Sequence, residues 1–387
     1  MIDPQAALDS PEIKQLAELA VTKFRERAPR YDRDCLMPEE NLDDLFRGGW
    51  LTCTVSKKSG GKGSNLDSDD PGTYLQAIRV VARGCSSTAH CMQVNNHTAW
   101  ILDAVGTEAQ RKKYVAPGIA RRFLGSFVGS EPTRKHMYTL NTKARPVDGG
   151  YVLNGMKNYA TNGPLMEFAI IFASLEGVDD YQQNHLMVII EPQWKGVRVD
   201  NDWYRPTGMR AAASPIVHLD DVFIPAENVF GKPGDYPRQR WQGKYHLGFS
   251  ANYLGTAEGM FDWFRDYTIK RGRAKDPIIM MRAGEMKIAL SAAQSIFHDA
   301  IRAFRTKPVV EAELLAMSAK YVTAHAALDV ARSVTQAAGS TALFDEFPLA
   351  RMVRDLDTHI LHAGHDKTAQ IMGQSQLGEE FDSTLQR

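Results

Sequence analysis

The chain has 387 residues, 43% of them hydrophobic and 24% charged, an ordinary globular composition that excludes wholesale disorder. Lys and Arg together number 46, as do Asp and Glu, so the net charge is zero and the basic footprint of a nucleic-acid binder is missing. Two or three domains are expected at this length, and no apolar run reaches the roughly eighteen residues of a membrane span.

Met1-Ile2-Asp3-Pro4 carries neither a cationic start nor an apolar stretch, so no secretory leader is expected. Ser10 reads as an N-cap and Pro11 as the first residue of a helix running to about Arg27. Its apolar side holds Ile13, Leu16, Ala17, Ala20, Val21 and Phe24, and Pro29 should end it. The Gly/Ser-rich stretch from Ser59 to Asn65 reads as a loop. From Tyr74 to Val105 the residues are small and apolar, with too few charges for a surface helix, which predicts a central buried one. Residues 1–122 are therefore read as a helical domain. Cys35, Cys53, Cys85 and Cys91 do not make a disulfide framework in a chain of this size, so a reducing cytoplasm is expected. Cys85 and Cys91 read as buried small hydrophobes.

The pattern changes near Phe123. Phe123 to Val128, Tyr151 to Leu153, Phe168 to Ala173, His185 to Ile190 and Pro215 to Leu219 are short runs rich in β-branched and aromatic residues. Turn punctuation at Asp148-Gly149-Gly150 and Asn162-Gly163-Pro164 separates them, so residues 123–233 are read as an antiparallel β-domain. Residues 234–387 are helical again in four long segments, about Tyr236–Lys270, Pro277–Arg305, Val309–Ala337 and Pro348–Leu377. Their lengths suit a four-helix bundle, and the fold class is α+β.

Two constellations stand out. The first is Phe127-Val128-Gly129-Ser130-Glu131-Pro132 followed by Gly150 to Gly163, where small and hydroxyl residues can offer donors to a planar heterocycle and Tyr159 a stacking face. Taken alone it reads equally well as a plain β-hairpin. The second is Gly208-Met209-Arg210 leading into Val217 to Asn228. With Gln336-Ala337-Ala338-Gly339-Ser340 and Pro348-Leu349-Ala350-Arg351-Met352-Val353-Arg354-Asp355, these resemble, in the same order, the signature segments of the acyl-CoA dehydrogenase superfamily of flavoproteins.

The resemblance implies a helical domain, a middle β-domain and a C-terminal bundle, in a homotetramer, with the flavin ring between sheet and bundle. It implies that Phe127, Gly129, Ser130, Tyr159 and Thr161 line the ring. It places Arg273 at the pyrophosphate, and Gln336 and Gly339 at the adenine end of a neighbouring subunit's FAD. FAD is expected, with FMN as the alternative.

The departures matter more. Dehydrogenation of an acyl thioester needs a carboxylate to take the α-proton, a contribution of ~10²–10⁴-fold in rate. The family's two positions for that base fall on Ala363 and near Tyr245, neither of them acidic. The stretch that meets the thioester cofactor in the family is here Thr133-Arg134-Lys135-His136-Met137. The flavin-dependent monooxygenases of this fold, which include dibenzothiophene monooxygenase and the nitrososynthases, are more similar. Arg354-Asp355-Leu356-Asp357-Thr358, then His365-Asp366, resembles their "RDxxTxxxHD" helix. Asn96-His97-Thr98 resembles their central-helix histidine, and Asp276-Pro277 with Gly284-Glu285 their second bundle helix.

That resemblance implies that His97 and His365 protonate oxygen at the flavin, with Asp366 orienting the imidazole. A pKa near ~6.5 suits an imidazole to that work. His90, so near His97, is an equal candidate, and His97 also reads as a hydrogen-bonded core histidine. His359, His362 and His365 recur every three residues, but one helix cannot wrap a tetrahedral ion, so no metal is expected. Arg111-Lys112-Lys113 and Arg121-Arg122 read as a solvated edge or, with Arg134, Lys135 and Arg210, as anion binders. The expected activity is oxygenation of a small aromatic, heteroatom-bearing or thioester substrate with O₂, with a flavin reductase or the substrate supplying electrons. The alternatives are an acyl-CoA dehydrogenase or desaturase passing electrons to an electron-transfer flavoprotein, and a non-enzymatic binding module.

Overall fold

A computed structural model describes residues 2–133 and 137–385. Short helices α1 (Pro4–Asp9) and α2 (Pro11–Leu19) open the chain, the Ser10 hydroxyl accepting the Ile13 amide of α2 at 3.3 Å. One π-type turn, Ala20–Phe24, leads into α3 (Arg25–Asp34). Pro29 lies inside α3 and does not end it. An interior proline costs a helix about 3 kcal/mol. Here the far side is tied down: Ala28 and Tyr31 are buried, and Arg210 donates to the carbonyls of Asp32 (2.6 Å) and Arg33 (3.2 Å). After α4 (Glu39–Arg47) come α5 (Thr73–Ala82) and α6 (Ser86–Val105), the buried stretch expected from composition, broken at Arg83–Cys85. The surface helices α7 (Glu108–Tyr114) and α8 (Ala116–Ala120) follow.

A seven-stranded sheet comes next: β1 (Gly125–Val128), β2 (Lys143–Val147), β3 (Gly150–Lys157), β4 (Phe168–Leu175), β5 (His185–Ile190), β6 (Val197–Asp200) and β7 (Ile216–Pro225). A short helix, α9 (Tyr181–Asn184), precedes β5. The sheet is mixed, not wholly antiparallel. β4 takes β1 in parallel along its first half and β2 in parallel at its end, while β5 runs antiparallel beside it. No hairpin joins β1 to a neighbour; the chain leaves it at Gly129, so its partner can run in the same direction. The β2–β3 hairpin turns at Asp148-Gly149, as its residues predict. β2 and β6 are hard to read from sequence because they are only four or five residues long and carry charged residues, and β2 holds a proline. Alternation along β4 splits the core: Phe168, Ile170 and Phe172 pack toward the helices, Ala169, Ile171 and Ala173 into a second core within the β-domain.

The rest is helical: α10 (Asp235–Arg238), α11 (Trp241–Lys244), α12 (His246–Lys270), α13 (Pro277–Thr306), α14 (Val309–Ala338), α15 (Leu349–Ile360) and α16 (His365–Leu377). The last predicted segment is two helices, not one, because Gly364 sits at φ 55° and starts α16 in a new direction. Among the described residues, no helix is long and apolar enough to cross a membrane.

One junction ties these parts together. The buried Asp355 carboxylate on α15 accepts the Met209 amide at 2.6 Å and pairs with Arg351 at 3.3 Å. Arg354 donates to the Thr207 carbonyl and, at 2.7 Å, to the Asp32 carboxylate on α3. A Cβ at Gly208 would lie 1.8 Å from the Arg354 carbonyl oxygen, so only glycine lets loop and helix close. Gly208→Ala is therefore expected to cost about 2–3 kcal/mol of stability. Urea denaturation checks this, and a variant within about 0.5 kcal/mol of the parent would mean that the loop is not clamped.

Candidate functional site

A cleft with about 1030 Å³ of empty space opens where the sheet, α6 and the bundle meet. α6 contributes His90, Gln93, Val94 and His97, spaced i, i+3, i+4 and i+7, which puts them on one face. β1 and its exit contribute Phe127, Gly129 and Ser130; the segment after β3 contributes Tyr159 and Thr161. The bundle side adds Tyr245, Phe249 and His362, and the far wall Phe172, His185 and Tyr236. Among the described residues, no Asp, Glu, Lys or Arg lines it.

The imidazoles are held in different ways. The His97 ring stacks on Tyr245 with 4.0 Å between centroids, and burial pushes its pKa down to about 3. His90 Nε2 lies 3.2 Å from the Thr161 hydroxyl, which is 2.9 Å from the Ser214 hydroxyl; Ser214 reaches the Ala212 carbonyl at 3.3 Å. A carbonyl only accepts, so the chain runs from His90 N–H through Thr161 and Ser214 to Ala212. That leaves His90 Nδ1 as an acceptor, and this atom is buried without a partner. Burial lowers the His90 pKa to about 4. His362 is exposed and stacks on Phe249 at 4.2 Å. His359 is buried edge-on to His90 at 4.8 Å, with both ring nitrogens unpartnered.

The predicted residues divide into two groups. His97, Phe127, Gly129, Ser130, Tyr159 and Thr161 meet in the cleft. His365 and Asp366 are not among its lining residues. The left-handed Gly364 turns α16 so that the His365 ring faces Tyr321 and His325 of α14, each at 5.8 Å, while Asp366 is exposed. Arg273 reaches the Ala337 carbonyl at 3.5 Å, which gathers Arg273, Gln336 and Gly339 at one end of the bundle, outside the cleft lining. Arg210 is not free to bind an anion, since three carbonyls take its guanidinium. Lys113 pairs with Glu191, Arg121 with Glu167, and Arg122 with Glu39 and Asp43, as a solvated edge would. Arg134 and Lys135 lie outside the described residues.

The sequence does not single out Gln93; it marks Tyr245 only as a position for the family's base, and His362 only in the pattern of histidines at every third residue. The signal for His362 was spacing: a histidine four residues after Thr358 satisfies "RDxxTxxxH" with no insertion, whereas His365 needs three extra residues. The His-Asp pair at 365–366 drew attention away from it.

Three family profiles cover the chain: acyl-CoA dehydrogenase N-terminal domain over residues 13–122, middle domain over 126–222 and C-terminal domain over 247–367. The short-chain-specific acyl-CoA dehydrogenase of Clostridium acetobutylicum is 25% identical, spanning 93% of this chain and 95% of its own length. Dibenzothiophene monooxygenase of Rhodococcus erythropolis is 24% identical, over 93% and 92%. Among solved structures, butyryl-CoA dehydrogenase from Megasphaera elsdenii superposes with a TM-score of 0.85 at 24% identity, over 95% of this chain and 98% of that one. FMN-bound TdsC from Paenibacillus sp. A11-2 superposes with 0.86 at 22%, over 97% and 99%.

The depressed histidines make stability depend on pH. Unfolded imidazoles take up protons near pH ~6.5, while His90 and His97 resist until about 4 and about 3. Stability is therefore fully present above the unfolded value and falls as pH drops below it, by about 1.4 kcal/mol per pH unit for each histidine. Urea unfolding between about pH 6.5 and pH 5 should show this slope, and a His90→Asn/His97→Asn variant should lose about 2.8 kcal/mol per pH unit of it, the share of the other depressed histidines remaining. An equal slope in parent and variant would refute neutral burial of these rings.

Proposed function

The chain belongs to the acyl-CoA dehydrogenase family, and we propose that within it the protein is a flavin-dependent monooxygenase that oxygenates a small organic substrate with O₂. The carrying observation is the cleft wall: its polar groups are imidazoles, amides and hydroxyls, and no carboxylate lines it among the described residues. A dehydrogenase needs a base for the α-proton, and without one it forfeits ~10²–10⁴-fold in rate. Tyr245 stands at one family position for that base, and burial pushes its phenol well above the ordinary range, so it holds its proton.

The residues present fit a flavin. The cleft is large and walled by aromatic side chains, and it leaves the buried Tyr245 hydroxyl without a partner among the described residues. Phe127, Gly129, Ser130, Tyr159 and Thr161 would hold the ring, and Arg273, Gln336 and Gly339 fit the adenine end of FAD in a neighbouring copy of a homotetramer. FMN, bound in TdsC, is the alternative. Reduced flavin supplies the two electrons with which one oxygen atom reaches the substrate and the other leaves as water. A flavin reductase would be the partner that renews it. His97, fixed by its stack on Tyr245, donates or accepts a hydrogen bond while remaining neutral. His362, open to solvent, exchanges protons with water. His90 sets the direction of the Thr161 hydroxyl.

The comparable likeness to butyryl-CoA dehydrogenase favours a second reading, an acyl-CoA dehydrogenase passing electrons to an electron-transfer flavoprotein. The two readings separate in one experiment. Protein carrying reduced flavin is given ¹⁸O₂ and a panel of aromatic, heteroatom-bearing and thioester compounds, and products are weighed by mass spectrometry. Label in product is expected, falling about 10²-fold in His97→Ala and in His362→Ala, with hydrogen peroxide rising instead and flavin affinity retained. Rapid anaerobic bleaching of the oxidised flavin by an acyl-CoA would establish the dehydrogenase, and a protein that retains neither FAD nor FMN would end both readings.

A further inference from the structure

Gln93 is fully buried on the cleft face of α6, and neither its amide nitrogen nor its oxygen has a hydrogen-bond partner among the described residues. A buried amide left unpaired at both ends destabilises the fold. The fold makes room for it: a Cβ at Gly248 of α12 would come within 2.6 Å of the Gln93 amide nitrogen. The Tyr245 hydroxyl, also buried beside the cleft, lacks a partner too. Around them the walls are aromatic, and no charged side chain lines the cleft among the described residues. The lining histidines His90 and His97 are neutral at physiological pH.

We infer that Gln93 is a specificity-determining residue whose amide pairs, donor to acceptor and acceptor to donor, with an amide-type group on a neutral planar aromatic substrate: a carboxamide, lactam or cyclic imide. Each part of that description has its own ground. Aromatic walls take a flat ring by stacking and edge contacts. A lining without formal charge disfavours a carboxylate or ammonium, whose desolvation nothing there offsets. Only a group that both donates and accepts satisfies the two ends of one amide. This inference rests on the oxygenase reading, which makes the cleft a substrate site as well as a cofactor site.

The test uses the flavin-loaded protein and three matched probes: 2-naphthamide, naphthalene and 2-naphthoate. Affinities are read by ligand-induced thermal shift and fluorescence quenching. The carboxamide should bind about tenfold more tightly than either of the others, and Gln93→Met, nearly equal in volume, should abolish that preference. The same substitution should raise the urea midpoint of the ligand-free protein, since it removes an unpaired amide; a glutamine with a purely structural role would lower it. Gln93→Leu carries the same expected signs if the methionine variant does not fold. Equal binding of the three probes, tighter binding of the naphthoate, or a lowered midpoint would overturn the inference. So would weaker flavin binding in Gln93→Met, which would assign the amide to the cofactor. If the parent binds no flavin, the oxygenase reading fails, while the rise in midpoint and the probe preference still report on Gln93.

Discussion

The buried Asp355 carboxylate and the Met209 amide it accepts at 2.6 Å hold the molecule's three parts in register. Asp355 belongs to the bundle, Met209 to a loop of the β-domain, and Arg354 beside it reaches α3 through Asp32. Burial raises the Asp355 carboxyl above its ordinary range, and the Arg351 guanidinium and the Met209 amide offset part of that. From Met209 the loop runs on to the site. The Ser86 hydroxyl lies 3.4 Å from the Met209 sulfur at the start of α6, and Ser214, five residues on, bonds the Thr161 hydroxyl that meets His90. Loosening the junction would therefore shift the α6 wall of the cleft relative to the sheet wall. That is why residues well outside the cleft read as part of its signature.

The second constraint is electrostatic. Lys320 is almost fully buried on α14, its ammonium 5.0 Å from the Phe249 ring that backs the cleft. Burial already favours neutral imidazoles at His246 and His359, and the Lys320 charge disfavours a second cation beside it. Burial lowers His365 on α16 as well, and the same charge adds to the effect. The site is thus a neutral, aromatic pocket with a buried cation behind it.

Much of this was legible in the sequence, and the failures have physical causes. The β1 exit and the segment after β3 declared themselves because small, hydroxyl and aromatic residues fall at fixed spacing, and Phe127, Gly129, Ser130, Tyr159 and Thr161 do share the cleft. α6 declared itself by its lack of charge. Pro29 misled because helix propensity is a local property, whereas α3 is held from outside by Arg210 and Arg354. His365 misled because hydrophobic period carries across Leu361–Gly364 while the backbone does not: one glycine at φ 55° ends the run. The parallel partners of β4 were illegible because register between distant strands leaves no trace in either one alone. Gln93 was invisible for a related reason. A glutamine on a buried helix looks like any polar residue until both ends of its amide prove unpaired.

The residues that hold the fold and those that would choose the chemistry are largely different sets. Gly208, Met209, Arg354 and Asp355 clamp domains together, and nothing in their contacts depends on what reacts in the cleft. The proposed distinction between a carboxylate-based site and an imidazole-based one rests on few positions: Tyr245 and His362 on the bundle side, His90 and His97 on α6. This explains how one chain can be 25% identical to an acyl-CoA dehydrogenase and 24% to a monooxygenase over nearly its whole length. Two identities this close in magnitude cannot rank the two activities. A handful of side chains around the cleft must do so, and among the described residues none of those that line it is a carboxylate.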